Sequence, residues 1–495
     1  MNARPLVFGS LLLLLAVGGP VDAQIVLSQD FDSGSLDVAA TIVTGTTVAL
    51  APRETWIHPT WDEFYRWVHF KANGVNQLTP EFRIDEQNFL GSLSGHRYVY
   101  SYDQTAWHFF DHGDVIGDEY VFRNDAPFTS DEVSIAYGIP YPVSRTAHRV
   151  AEYQTSAYVT PTVSASASLV IGQSPGGTDE LGRSIPQHDL YAFQVTDPTA
   201  TGPKQKIVIA TGSHAGETPA HFALEGFVDF LLGPSLEAAQ LRGQAEFFVY
   251  PQVNPDGRYA GYYRSSVENP DKDPNRFYDN PAGFTDLSQV VAAMVSDTGG
   301  DVDYVFDLHS WFGPWSDENF VFTHPDLVNS TFLQQLQLVE PEFEVSASFG
   351  QPGMLRIWGS DSNGLNAEYG YTAEIGAHPG RNVDRLLEYG ENLARALLGS
   401  VGTRERCDLN FDGDCDGSDL DLLTAQGDLL AGVPVTDIKF DLDDNGWVDG
   451  DDLMAWLANA PQGQFPTYLL GDVNLDGTVD GLDFVIWNDA KFTSG

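Results

Sequence analysis

Four residues in the middle of the chain have the types and spacing needed for hydrolytic chemistry. Gly212-Ser213-His214-Ala215-Gly216-Glu217 sets an imidazole and a carboxylate three residues apart, close enough to converge on one cation. His309 follows Asp307-Leu308, and Glu374 stands in Tyr371-Thr372-Ala373-Glu374-Ile375. Two histidines and one glutamate, with a fourth position left to water, form the ligand set of a catalytic zinc site rather than a closed structural one. A His-x-x-Glu pair alone is most often a surface pair on a helix. Its weight here comes from position, since all of these residues fall at the ends of predicted strands.

Those strands define the elements that must hold the site. Residues 206–210, 246–250, 303–308 and 371–375 read as buried strands. Residues 221–232 and 386–398 carry the apolar spacing of helices. Alternation of this kind predicts an α/β domain over 144–400, a sheet with helices on both faces. In such sheets the site lies beyond the carboxyl ends of the strands. Residues 24–143 read differently. Short alternating runs at 67–70 and 96–100 are separated by Gly, Asn and Asp turns, which predicts an all-β, sandwich-like domain. Residues 1–23 combine Arg4, an apolar run over 6–17 and Val21-Asp22-Ala23, the layout of a signal peptide. The expectation is a secreted, periplasmic or surface-associated protein. No later stretch is apolar enough to span a bilayer.

The composition shifts again near the carboxyl end. Residues 407–495 hold 19 Asp, no Glu and 2 Lys, which marks 404–495 as a separate module. Three segments there repeat one pattern. They are Asp408, Asn410, Asp412, Asp416 and Asp419; Asp441, Asp443, Asn445, Asp449 and Asp452; and Asp472, Asn474, Asp476, Asp480 and Asp483. Each places oxygen ligands at loop positions 1, 3, 5, 9 and 12 around a glycine at position 6, the spacing that wraps calcium. A merely acidic disordered tail would not repeat the glycine in register. An apolar helix follows each loop, so the module is predicted to be small and α-helical. Cys407 and Cys415 are the only cysteines. They form an intraloop disulfide or remain two free thiols. The formal net charge of −45 disfavours nucleic acid and anionic membranes as partners.

The middle of the chain resembles the zinc carboxypeptidases, peptidase family M14. The resemblance rests on Gly212 to Ala220, Asn254-Pro255-Asp256-Gly257, Asp273-Pro274-Asn275-Arg276, Leu308-His309-Ser310 and Thr372-Ala373-Glu374, in that order. It implies a mixed-sheet catalytic domain in which His214, Glu217 and His309 ligate zinc. It further implies that Glu374 is the general base and that Arg264 polarises the scissile carbonyl. Asn275 and Arg276 would grip the carboxylate of a peptide C-terminus, and Asp273 would partner His214. Ala136-Tyr137-Gly138-Ile139-Pro140-Tyr141 and Gly257-x-x-x-Gly261-x-Tyr263-Arg264 resemble the cytosolic-carboxypeptidase-like subgroup, whose β-domain precedes the enzyme domain.

Two features depart from the family pattern. Its members present a tyrosine well before the catalytic glutamate. None stands between Ser346 and Ser362 here, and Trp358 is the candidate to fill that space. Glutamate-selective members carry a basic residue in the side-chain pocket. Arg356 is the candidate for that place, with a solvated surface cation as the alternative. His324 and His378 read as loop histidines, and Tyr262-Tyr263 as packing. The acidic tail resembles the dockerins, which implies a cohesin-like docking partner. Three functions follow as expectations: hydrolysis of C-terminal peptide bonds, with acidic residues as a candidate preference; cleavage of N-acyl amino acids by a related amidohydrolase; or non-enzymatic, calcium-dependent docking.

Overall fold

The computed structural model describes residues 25–53, 67–85, 93–311, 319–341, 343–376, 381–401, 407–409, 415, 417–427, 429, 431–435, 438–443 and 445–459. The segment expected to be a signal peptide and the third acidic loop, with Asp472, Asn474, Asp476, Asp480 and Asp483, lie outside them. So do Asn410, Asp412, Asp416 and His378.

The first part of the chain folds as two five-stranded sheets. Alternation fixes the register of each strand. In Glu81–Asp85 the side chains of Phe82 and Ile84 are buried while their neighbours face outward. Phe82 and Phe122 stack at 5.2 Å, and Tyr98 lies on Phe122 at 4.3 Å. Full burial of such rings stabilises by roughly 1.5–3 kcal/mol each, so a compact aromatic core holds the sheets together. Tyr263, from the following domain, is part of this same core.

The second domain is built on one eight-stranded sheet. Its strands in chain order are β1 (Val159–Pro161), β2 (Phe193–Val195), β3 (Gln205–Thr211), β4 (Ala245–Tyr250), β5 (Tyr304–Trp311), β6 (Asn319–Thr323), β7 (Phe343–Ala347) and β8 (Tyr369–Gly376). In space they run β1-β2-β4-β3-β5-β8-β6-β7. The four central strands are parallel, and β1, β2 and β6 run against their inner neighbours, so the sheet is mixed. Helices cover both faces of the centre, which explains why Ile207-Val208-Ile209 is apolar without alternation. The helix Thr218–Leu232 is buried on nearly every side between the sheet and the helix Val383–Ala396. Gly226 and Gly390 permit that contact, because a Cβ on either would lie 2.0 Å or 1.7 Å from a carbonyl oxygen of the facing helix.

The motif of residues 136–141 bridges the two domains. Tyr137 stacks on His96 at 4.1 Å within the β-domain, and Tyr141 stacks on His221 of the helix Thr218–Leu232 at 5.0 Å. The helix Val143–Tyr153 then begins beside the expected boundary, with Asp32 of the β-domain accepting the backbone N–H groups of Val143 and Ser144.

Beyond residue 407 the described part contains the helices Gly417–Thr424 and Gly450–Asn459 around a small core that includes Leu409, Leu423 and Trp456. Cys407 and Cys415 are joined as a disulfide. The tail is not merely tethered. Lys439 is buried, and its ammonium lies 2.8 Å from the carboxylate of Asp197 in the catalytic domain. Among the described residues no helix is long and apolar enough to cross a membrane.

Candidate metal centre and active site

The site forms at the carboxyl ends of the central parallel strands. After β3 the chain turns through His214 and reaches Glu217, which occupies the N-cap position of the helix Thr218–Leu232. The positive end of that helix dipole favours a carboxylate there. β5 carries His309, and β8 carries Glu374 directly beside it in register. Two residues earlier, Asp307 and Thr372 are likewise paired. Since alternate residues of a strand share a face, Asp307, His309, Thr372 and Glu374 make one polar patch on an otherwise apolar sheet.

His214, Glu217 and His309 are buried, and one ligand atom from each lies within 4.8 Å of the others. Nδ1 of His214 lies 2.8 Å from Glu217 Oε1, and Nδ1 of His309 lies 2.7 Å from Glu217 Oε2. Both outer nitrogens are anchored. Nε2 of His214 meets Asp273 at 2.8 Å, and Nε2 of His309 meets Asp307 at 3.0 Å. This arrangement turns both Nδ1 atoms inward toward the shared carboxylate. The outer N–H of His214 is held by Asp273, as in metal-bound histidines. The outer nitrogen of His309 lies beside both Asp307 and the Asn275 amide. Two imidazoles and one carboxylate suit zinc, so the donor set fits that ion.

The electrostatics without an ion are those of a tightly paired cluster. Burial works to raise the Glu217 pKa, but His214 and His309 hold it well below the carboxylate range. Burial would lower the His309 pKa, and Asp307 with Glu217 raises it well above the usual imidazole value instead. Asp273 is held low in the same way by His214 and Arg264. Glu374 is the exception. Burial together with the charge of Glu217 outweighs the lowering influence of His309, His214 and Arg264 and pushes it up to about 7. A carboxyl poised there can both take and return a proton at neutral pH.

The arginines frame this centre. Arg264 donates to Asp273 at 2.8 Å and lies 3.7 Å from Glu217. Arg276 retains some exposure, bonds the carbonyl of Asn275 at 2.7 Å and lies 3.6 Å from Asp273. Asn275 is placed differently from the expectation that it faces substrate. It is buried, its Nδ2 lies 3.1 Å from Asp307 and 2.8 Å from His309, and its Oδ1 accepts the Leu355 N–H. Its amide is committed to holding the ligand shell, which leaves Arg276 as the outward member of the pair.

Arg356 is corrected in one respect. It is only 3 % exposed, so it is not a solvated surface cation. Its Nε donates to Thr372 at 3.3 Å, on the same face of β8 as Glu374, and its Nη1 donates to the Ser348 carbonyl. Trp358, the candidate for the space of the missing tyrosine, lies in the interior. It is buried against Tyr278, with ring centres 5.9 Å apart. The Tyr262-Tyr263 pair is buried packing, as expected. Sequence reasoning passed over Asp307 and Tyr278. Asp307 was findable, because it stands two residues before a ligand on a strand. Tyr278, whose hydroxyl meets Ser213 at 2.7 Å, carries no such signal.

Of the second acidic loop, Asp441, Asp443, Asn445, Asp449 and Asp452 are all described. Oxygens of Asp441, Asp443 and Asp452 lie within 4.8 Å of one another. Asp452 accepts the backbone N–H groups of Leu442 and Asp449, at 2.5 and 2.7 Å. Asn445 and Gly446 donate theirs to Asp441. In the first loop Asp419 accepts the Leu409 N–H at 2.6 Å, which repeats the contact between Asp452 and Leu442.

Comparison with known proteins agrees with this geometry. Residues 177–409 match the zinc carboxypeptidase family, and residues 27–137 match the cytosolic carboxypeptidase N-terminal domain. Among curated relatives, human cytosolic carboxypeptidase 6 is 33% identical over 140 residues, covering 27% of this chain and 27% of its own length. Cytosolic carboxypeptidase 2 of Xenopus tropicalis is 38% identical over 102 residues, covering 20% of this chain and 10% of its own. The chain therefore spans about a quarter or less of these relatives. Among solved structures, a metallo-carboxypeptidase from Burkholderia cenocepacia aligns at TM-score 0.61 and 19% identity, covering 76% of this chain and 98% of that one. A metallo-carboxypeptidase from Pseudomonas aeruginosa, solved with (2-guanidinoethylmercapto)succinic acid, aligns at 0.60 and 21%, covering 76% and 99%. These two establish the fold. The comparisons also correct the expectation of a secreted protein, since the relatives and the amino-terminal domain are those of cytosolic carboxypeptidases. Residues 177–409 thus resemble a zinc carboxypeptidase, preceded by a stretch that resembles the N-terminal domain of cytosolic carboxypeptidases.

Proposed function

We propose that the chain is a zinc metallocarboxypeptidase that removes residues from the C-terminus of peptides, with Glu374 as general base. The observation that carries this reading is the convergence of His214, Glu217 and His309, with Glu374 in register beside His309. Zinc held by those three residues would supply Lewis acidity and lower the pKa of a water to about 7. Glu374 takes a proton from the attacking water and returns it to the leaving amine. Arg264 offers a cation to the oxyanion that develops on the scissile carbonyl. Arg276 binds the terminal carboxylate through a planar guanidinium, and Asn275 supports it by fixing the shell beneath.

The same reading extends to side-chain choice. Arg356 brings a buried guanidinium beside Thr372, on the face of β8 that carries Glu374. Burial lowers its pKa and Asp307 raises it. An acidic side chain entering from the site would pair with that desolvated cation, so a preference for acidic C-terminal residues follows.

The tail is the second part of the proposal. The described loop of Asp441, Asp443, Asn445, Asp449 and Asp452 holds calcium, as does the loop of Asp408 and Asp419, and the module serves as a dockerin-like attachment to a cohesin-like partner. The matching backbone contacts of Asp419 and Asp452 support two loops of one kind. Digestion of a peptide library, read by mass spectrometry with and without chelator, tests the enzymatic reading. Single residues should leave free-acid peptides, and amidated peptides should persist. Equal cleavage of amidated and free-acid peptides would replace it with an amidohydrolase or endopeptidase activity.

A further inference from the structure

The segment that ends in Arg264 is held in part by the β-domain. Gly261 adopts φ +72 and presses on the backbone of residues 33–35, where a Cβ would lie 2.7 Å from Ser35 and 2.8 Å from the Gly34 carbonyl. Ser33 donates its N–H to the Tyr259 carbonyl at 2.9 Å. Tyr263, the residue before Arg264, is 3 % exposed and packs in the β-domain core. Its carbonyl accepts the N–H of Gly216, within the zinc motif, at 2.7 Å. The chain leading to Arg264 therefore lies between the β-domain and the metal loop.

A buried ionic network reinforces this seam. Arg53 of the β-domain is 2 % exposed. Its Nη1 lies 3.0 Å from Asp179 and its Nε 3.1 Å from Glu180. Its guanidinium covers the Tyr262 ring at 4.8 Å, and the Tyr262 hydroxyl donates to Glu180. Arg183 completes the link. It pairs with Asp179 at 3.0 Å and donates to the carbonyls of Gln29, at 3.1 Å, and Ala260, at 2.6 Å. Burying this much charge is costly unless geometry is good, and such clusters more often fix an arrangement than add stability.

We propose that Arg53 is a positioning residue for Arg264, acting across the domain seam through Tyr262 and Tyr263, so that the β-domain is part of the catalytic apparatus. The proposal rests on the reading of Arg264 as the oxyanion cation. A displacement of about 1 Å in such a group costs about a hundredfold in rate. The test is a double-mutant cycle on the zinc-loaded full chain, with kcat and KM measured on a free-acid peptide. Arg53→Met should lower kcat by about 10- to 100-fold with KM and zinc content nearly unchanged, and Arg53→Lys should recover part of the loss. Arg264→Ala should lower kcat by about 100- to 1,000-fold. Added to Arg264→Ala, Arg53→Met should cost less than about threefold, because a residue acting through Arg264 has nothing left to position. The same factor in both backgrounds, or full kcat in Arg53→Met, overturns the proposal. Hydrogen exchange separates it from the reading beneath. Arg53→Met should speed exchange across 259–265, and unchanged exchange counts against the clamp alone. Full kcat in Arg264→Ala counts against the oxyanion reading. If Arg53→Met does not fold, Tyr262→Phe removes only the hydroxyl contact and runs the same cycle, with an expected kcat loss of about 3- to 10-fold and the same overturning results.

Discussion

Among the described residues two clusters could hold a metal ion, and they are built on opposite principles. Around His214, Glu217 and His309 every charge has a counterpart within the protein, supplied by Asp273, Asp307, Arg264 and the imidazoles themselves. Around Asp441, Asp443 and Asp452 the converging groups are all acids, and the partners shown are backbone N–H groups and the side-chain amide of Asn445. The first cluster is preorganised, because its outer hydrogen bonds fix the rings before any ion arrives. Under the calcium reading proposed for it, the second would depend on an ion for its charge balance. Removing an ion should therefore silence the first and loosen the second.

The largest expected effect lies in the proton chemistry of the preorganised site. Glu374→Gln keeps size and hydrogen bonding but loses the base. It should lower kcat by about 100- to 10,000-fold while zinc content stays at the wild-type level. Retained activity would move the base elsewhere. The next effect belongs to the tail. Calcium added to chelated full-length protein, at about 100 times its Kd, should stabilise the tail by about 2.7 kcal/mol, read as an upward shift of its thermal transition. Peptidase activity with zinc present should barely change. Equal melting in calcium and chelator would remove the contrast between the clusters.

A smaller effect probes their connection. Lys439→Met leaves Asp197 buried without its ammonium, although Thr199 still donates to it. A loss of about 1–3 kcal/mol in tail docking is expected, measured by proteolysis of the linker, with kcat/KM unaffected. The smallest concerns pH. In metal-free protein Glu374 titrates at about 7 rather than 4.5, so the folded chain holds a proton there that the unfolded chain has lost. Its contribution is present below the unfolded value and is lost as pH rises through 7. Metal-free Glu374→Gln should match wild type at pH near 4 and exceed its stability by about 3 kcal/mol above pH 7. A difference that shrinks as pH rises would contradict the assignment.

How far the sequence carried these conclusions depends on the range of the interactions. Strands 206–210, 246–250, 303–308 and 371–375 were legible because buried parallel strands are continuous apolar runs, and the ligands sit at their ends. The convergence of Asp441, Asp443 and Asp452 was legible because all three come from one short segment. The roles of Asn275 and Trp358 were not, because both depend on which way a side chain turns in a packed interior. Asn275 points under His309, and Trp358 joins the Tyr278 core. The seam from Arg53 to Tyr262 was likewise hidden, since its members lie far apart in sequence and meet only once two domains have packed.

The central claim is that His214, Glu217 and His309 form one preorganised zinc centre. Elemental analysis of the extensively dialysed full chain, wild type beside His309→Ala, tests it most directly. One zinc per chain should remain in the wild type and most of it should be gone from the variant, with both proteins folded. Full zinc in His309→Ala, or none in the wild type, would contradict the account.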